Sequence, residues 1–171
     1  MDRLWAPWRA AYILGQTGPA EADQGCIFCT KVARGLEHFA DDLILVATAD
    51  AFVIMNRYPY TSGHLMIAPR SHVASPDQLA PPARAALFAL VTDSIPALRR
   101  ALSPDGVNMG MNLGRSAGAG IADHCHVHLV PRWVGDSSFM STVADTRVLS
   151  QSLEAAYAKL LPFFAPLAGS S

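Results

Sequence analysis

The sequence predicts an α+β domain: an antiparallel β-sheet of about five strands with one long helix and one C-terminal helix. Two patterns carry that expectation. Residues 107–113 alternate strictly, with Val107, Met109, Met111 and Leu113 on one side and Asn108, Gly110 and Asn112 on the other, which is the period of a strand. Leu87, Leu90, Val91, Ser94, Ile95, Leu98 and Leu102 recur at spacings of three and four, the stripe of an amphipathic helix. No internal repeat or linker divides the 171 residues, so one domain is expected, with an N-terminal arm over 1–25, a core over 26–140 and a C-terminal helical segment over 141–171.

Taken in order, residues 1–25 mix Trp, Pro and Gly without a period and read as a packing arm. Residues 26–34 suit a short helical turn closed by Gly35. Residues 43–47 and 51–55 are short apolar, β-branched runs, and a third strand is expected over 64–68 after a loop over 57–63. Ser75 and Asp77 open a helical region whose main helix begins at Pro81-Pro82, is kinked at Pro96 and ends at Pro104-Asp105-Gly106. After the 107–113 strand and a loop of small residues, a strand begins near His124, and a last helix covers 149–161.

Composition removes several classes. Half the residues (51%) are hydrophobic, enough for a packed core. A net charge of −1 argues against bulk nucleic-acid binding, while leaving room for a local phosphate pocket. No apolar run reaches the roughly 18–20 residues of a membrane span, and the first residues lack the apolar core of a signal peptide. A cytoplasmic location is the expectation. In a reducing compartment three cysteines, two of them as Cys26-x-x-Cys29, point to metal or redox chemistry more than to a disulfide framework.

The most informative segment is His124-Cys125-His126-Val127-His128. On an extended strand residues two apart share a face, so the three histidines project together while Cys125, Val127 and Leu129 turn to the core. Convergence of all three on one metal is disfavoured, because the outer Cα atoms would lie about 13 Å apart while metal–nitrogen bonds are about 2 Å. A row of imidazoles suits a nucleophile flanked by orienting and phosphate-binding neighbours. Upstream, Asn112 and the small-residue run Gly114 to Gly120 would bring backbone N–H groups close to phosphate oxygens.

His124-x-His126-x-His128 followed by Leu-Val-Pro-Arg resembles the signature of the histidine triad (HIT) superfamily of nucleotide hydrolases and transferases. The similarity extends roughly from Asp41 to Phe139 and includes Phe52 to Arg57 and Gly63 to Pro69. It implies a HIT-like α+β fold, usually a homodimer. It also implies that His126 is the nucleophile, that His128 binds the scissile phosphate region and that His124 supports the site. Asn56 would contact ribose, and Asn112 with the backbone of Gly118, Ala119 and Gly120 would hold phosphate. One departure stands out: at Gly120 many members carry Gln, Ser or Thr, so contact with the leaving oxygen would fall to a backbone N–H or to Ser116. Leu4-Trp5-x-Pro7-Trp8-Arg9, Asn56-x-Tyr58-Pro59-Tyr60 and Pro131-Arg132-Trp133-x-Gly135-Asp136-x-x-Phe139 are most similar to the diadenosine tetraphosphate phosphorylase and hydrolase branch.

Some members carry a structural zinc held by two cysteines and two histidines, and Gly25-Cys26-Ile27-Phe28-Cys29 is similar to theirs. That implies zinc on Cys26, Cys29, His72 and His124, with no organic cofactor. A thioredoxin-like redox role for the pair lacks the surrounding βαβ pattern. The expected substrate is an adenosine-containing nucleotide, with inorganic phosphate or water as acceptor. Three other readings stay open: hydrolysis of adenosine phosphoramidates, a zinc-bearing nucleotide-binding module without chemistry, and a catalytic metal on the histidines.

Overall fold

The structure, a computed structural model, describes residues 25–136 and 152–169. The expected arm before Gly25, its Leu4–Arg9 motif, Phe139 and the anticipated helix start at Leu149 lie outside these residues. The described chain begins with helix α1 (Ile27–Ala33), a 3-10 turn (Leu36–His38) and the single turn α2 (Phe39–Asp42). Strands β1 (Ile44–Ala47), β2 (Ala51–Met55) and β3 (Leu65–Pro69) follow, then the long helix α3 (Pro81–Leu102). Strands β4 (Gly106–Met111) and β5 (Val127–Arg132) and helix α4 (Leu153–Phe164) complete the order.

The five strands form one sheet in the order β1-β2-β3-β5-β4, with every neighbouring pair antiparallel. Its two faces are covered differently. Val53, Met55, Leu65, Ile67, Val127 and Leu129 pack with Leu87, Leu90, Val91 and Leu98 of α3 and with Leu160 and Phe164 of α4. On the other face Phe52, Ile54, Met66 and Ala68 pack against Phe28 of α1, with Phe39 at the margin. Period-two alternation assigns the faces: Met66 pairs with His128, so His128 points to the α1 side, away from the larger core.

The α3 stripe is buried as its spacing predicts at Leu87, Leu90, Val91, Ser94 and Leu98; Ile95 and Leu102 are partly buried. The helix stays continuous across Pro96. Pro96 and Thr92, whose carbonyl loses its helical partner, both lie on the exposed side, open to solvent.

Several strand boundaries differ from the sequence expectation, β1 among them: it starts at Ile44 because Leu43, with φ 62°, closes α2. β3 starts at Leu65 because the His64 backbone N–H bonds to the Thr61 carbonyl within the preceding loop. β4 stops at Met111 and β5 starts at Val127, because Met111↔Val127 is the last pair of their ladder. Leu113 and His124 therefore lie in the connecting loop. The expected apolar face of β4 is only partly covered, Met109 remaining 59% exposed. Helix α4 runs to Phe164, past the expected end at Leu161, since Pro162 does not interrupt it and Phe164 is fully buried. Ser152 caps its start, accepting a hydrogen bond from the Ala155 N–H. No helix among the described residues is long and apolar enough to cross a membrane.

Candidate active site and metal centre

The loop over 56–64 positions one wall of the site. Gly63 has φ +81°, a conformation that glycine adopts without strain, and a Cβ there would press on the end of the Leu102 side chain. Thr61 Oγ1 donates to the Pro131 carbonyl at 2.8 Å, fastening the loop to β5. Within the loop the Asn56 amide is used locally: Oδ1 accepts the Tyr58 N–H at 2.9 Å, and Nδ2 lies 3.3 Å from His64 Nδ1.

The hydrogen bonds fix the tautomers of four imidazoles. His64 Nδ1 accepts the Tyr60 backbone N–H at 3.2 Å, so in the neutral ring the proton sits on Nε2. Nε2 donates to His128 Nδ1 at 2.9 Å, which leaves the proton of neutral His128 on its own Nε2. His126 Nδ1 lies 2.9 Å from the His124 carbonyl. A carbonyl only accepts, so Nδ1 carries the proton and Nε2 keeps its lone pair. By the same logic His124 Nε2 donates to the Pro69 carbonyl at 2.8 Å, which turns the lone pair of Nδ1 towards the thiols. The His126 and His128 ring centroids are 4.8 Å apart.

The three triad histidines thus share a side of the sheet without forming an even row. His126 and His128 face each other, whereas His124, buried and upstream of β5, turns to Cys26 and Cys29. Val127 and Leu129 enter the larger core as alternation predicts, and Cys125 is buried.

The ligand atoms of Cys26, Cys29, His72 and His124 all lie within 4.8 Å of one another. Cys26 Sγ is 3.2 Å and Cys29 Sγ 3.5 Å from His124 Nδ1, and Cys29 Sγ is 3.4 Å from His72 Nδ1. Tetrahedral zinc with bonds of about 2.0–2.3 Å holds its ligands about 3.3–3.8 Å apart, so this donor set fits a metal ion after only small shifts. The other ring nitrogen of His124 donates to the Pro69 carbonyl, the arrangement that metal-bound histidines usually have.

The small-residue loop spends much of its hydrogen-bonding capacity internally. The N–H groups of Gly118 and Ala119 bond to the carbonyls of Arg115 and Gly114, and Asn112 Nδ2 lies 3.4 Å from the Gly118 carbonyl. Ser116 and Gly120 are exposed, and neither makes a hydrogen bond among the described residues.

Burial lowers the pKa of His126 and of His124, in each case opposed by the bond to a backbone carbonyl. Burial pushes His64 down to about 3, with the neighbouring His128 and His126 adding to it. An unfolded histidine titrates near 6.5, so between about pH 3 and 6.5 the unfolded chain binds a proton that folded His64 does not. Stability is expected to be unaffected above that window and to fall within it by up to ~1.4 kcal/mol per pH unit, about 2 kcal/mol between pH 7 and 5. Urea unfolding at both pH values, in wild type and in His64→Asn, checks this. The variant should lose roughly one proton's share of the slope; identical slopes would mean that folded His64 takes up the proton freely.

Sequence reasoning gave His64 only the local bonds to its loop. It missed the contact with His128, because that depends on β3 pairing with β5 in a register that brings 64, 66 and 128 to one face. Phe28 was noticed only as part of the cysteine motif, yet it is fully buried with its ring 5.1 Å from His124 and 5.0 Å from His126.

A family model described as the HIT domain matches residues 37–134, more than half of the chain. The chain belongs to the HIT domain family. A HIT relative from Mycobacterium tuberculosis, named AP-4-A phosphorylase, is 32% identical over 156 residues, covering 90% of this chain and 79% of its own. Adenosine 5'-monophosphoramidase HNT1 of Saccharomyces cerevisiae is 28% identical over 123 residues, 68% of each chain. Among solved structures, a Zn-bound histidine triad family protein from Mycobacterium smegmatis superimposes with a TM-score of 0.67 at 25% identity, over 86% of this chain and 98% of that one.

Proposed function

We propose that the protein transfers a nucleotidyl group through His126, with phosphorolysis of diadenosine tetraphosphate to ADP and ATP as its preferred reaction. One observation carries this reading: the bond from His126 Nδ1 to the His124 carbonyl leaves the Nε2 lone pair free, on a buried ring whose lowered pKa keeps it neutral at physiological pH. The similarity to the mycobacterial AP-4-A phosphorylase supports the choice of substrate.

In the first step Nε2 attacks the α-phosphorus in line. An Nε2–P bond forms, the bond to the bridging oxygen breaks, and ATP leaves. The His128 Nε2–H, oriented by His64 through Nδ1, donates to an oxygen at the scissile phosphate. Gly120 has no side chain for the leaving oxygen, so its unused N–H and the Ser116 hydroxyl take that role. Gly118 and Ala119 shape the loop, Asn112 braces it, and Asn56 offers its remaining amide valences to ribose. In the second step an oxygen of inorganic phosphate attacks the same phosphorus, the Nε2–P bond breaks and ADP departs.

Cys26, Cys29, His72 and His124 would hold a zinc ion, which would supply a structural cross-link between α1, the segment after β3 and the segment ahead of β5. The same reading takes an adenosine-containing nucleotide and inorganic phosphate as small-molecule partners, a homodimer as the assembly and the cytosol as the location. Product analysis after incubation with diadenosine tetraphosphate, with and without phosphate, tests it. ADP plus ATP is expected only when phosphate is present. AMP plus ATP regardless of phosphate would replace the phosphorylase by a hydrolase, and turnover of adenosine phosphoramidate alone would overturn the choice of substrate.

A further inference from the structure

Phe28 is carried by the first turn of α1, between Cys26 and Cys29, which with the turn joining them form a cysteine knuckle. Its side chain is 0% exposed, so it offers no surface on which a nucleobase stacks. What it does touch is specific. The ring meets His124 at 63° and His126 at 50°, with centroids 5.1 and 5.0 Å away. Its only other aromatic neighbour among the described residues is Phe52, at 6.2 Å. One rigid ring therefore sits against a metal-ligand candidate and against the histidine proposed as the nucleophile.

His126 has one hydrogen bond in the described structure, from Nδ1 to the His124 carbonyl. A single bond leaves an imidazole free to rock about the donor–acceptor line, or to flip so that the other ring edge faces the site. A packed aromatic face removes both motions without competing for either nitrogen. We propose that Phe28 is the positioning residue for His126, holding the ring so that Nδ1 stays on the His124 carbonyl and Nε2 stays aimed outward. Because Phe28 rides on the cysteine knuckle, anything that loosens the knuckle also loosens the nucleophile. The kinetic half of this inference rests on the nucleotidyl-transfer reading above; the orientation of the ring does not.

The test compares Phe28→Leu with Phe52→Leu. Both remove a fully buried ring from the same apolar cluster, but only Phe28 touches the histidines. Three quantities are read on the full chain: bound metal by mass spectrometry, steady-state kinetics on diadenosine tetraphosphate, and the ring ¹⁵N resonances of His126 without substrate, assigned by their loss in His126→Ala. Phe28→Leu is expected to lower kcat by about 10- to 100-fold, the cost of a slightly misplaced reacting group, with KM changed less than about threefold. Its His126 resonances should move from the single Nδ1–H tautomer towards a mixture, with metal content unchanged. Phe52→Leu should keep the wild-type tautomer and kcat.

Equal kinetic losses in both variants, or a wild-type tautomer pattern in Phe28→Leu, would overturn the proposal. So would a loss in Phe28→Leu that tracks missing metal and returns on reloading, since Phe28 would then serve the knuckle alone. If wild type fails to turn over the dinucleotide, the substrate reading fails, and the substrate-free resonances still decide whether Phe28 orients His126.

Discussion

His126→Ala is expected to lower kcat by at least about 10⁴-fold while leaving KM for the nucleotide within a fewfold of wild type. The magnitude follows from the role. Removing a covalent nucleophile deletes an interaction made only on the way to the transition state, and about 10⁴-fold corresponds to ~5.5 kcal/mol of barrier. The small effect on KM follows from the layout, since the groups proposed for ribose and phosphate lie elsewhere, in the loops over 56–64 and 112–120 and at His128 on β5. Stability should hardly suffer: the ring's removal leaves the larger core of α3, α4 and the opposite sheet face intact. Rapid quenching of wild type with substrate should trap a mass increment of one nucleotidyl group on the peptide containing His126, absent from the variant. Wild-type-like turnover in His126→Ala would sink covalent catalysis; full loss of activity with no trapped adduct under any quench would point to direct attack by the acceptor.

The parts of this fold that were legible in the sequence are those where one period dominates. The α3 stripe and the β1, β2 and β3 runs each bury a continuous set of side chains, so composition and spacing agree with packing. The loop between β4 and β5 was not legible in the same way. Alternation through Leu113 and through His124 suggested longer strands, but the ladder ends at Met111↔Val127 and alternation has no sheet to serve beyond it. His72 and the two cysteines could be named as ligands from residue type, whereas the direction of His124 could not. That direction depends on the Pro69 carbonyl, 55 residues away, which takes the Nε2 proton. His64 and Phe28 were hidden for a related reason: each matters through a partner distant in sequence, and one sequence contains no signal for such pairings.

For a metal ion held by Cys26, Cys29, His72 and His124, as proposed above, chelation is expected to open the cysteine knuckle before it unfolds the domain. Free energies of zinc binding in small zinc-folded peptides are about 10–16 kcal/mol, whereas a whole domain is stable by only about 5–15 kcal/mol. The four-residue site cannot express its full binding energy as global stability, so its loss appears first as local opening. The packing indicates where. Helix α1 has seven residues and one fully buried side chain, Phe28, and the larger core contains none of its residues. Burial and the neighbouring Cys26 thiol raise the Cys29 pKa, so the thiolate form that a metal needs is disfavoured in the metal-free site. Hydrogen exchange should therefore show α1 losing protection on chelation while α3, β2 and β3 keep theirs. The thermal midpoint should fall by at least ~5 °C, which at about 2–4 °C per kcal/mol for a chain of this size is a loss of about 1.3–2.5 kcal/mol. Cys26→Ser/Cys29→Ser should reproduce both effects and be insensitive to chelator. Unchanged exchange and an unchanged midpoint in the metal-free protein would show that the four side chains hold the knuckle together unaided. Uniform loss of protection would instead mean that the knuckle and the main core unfold as one unit.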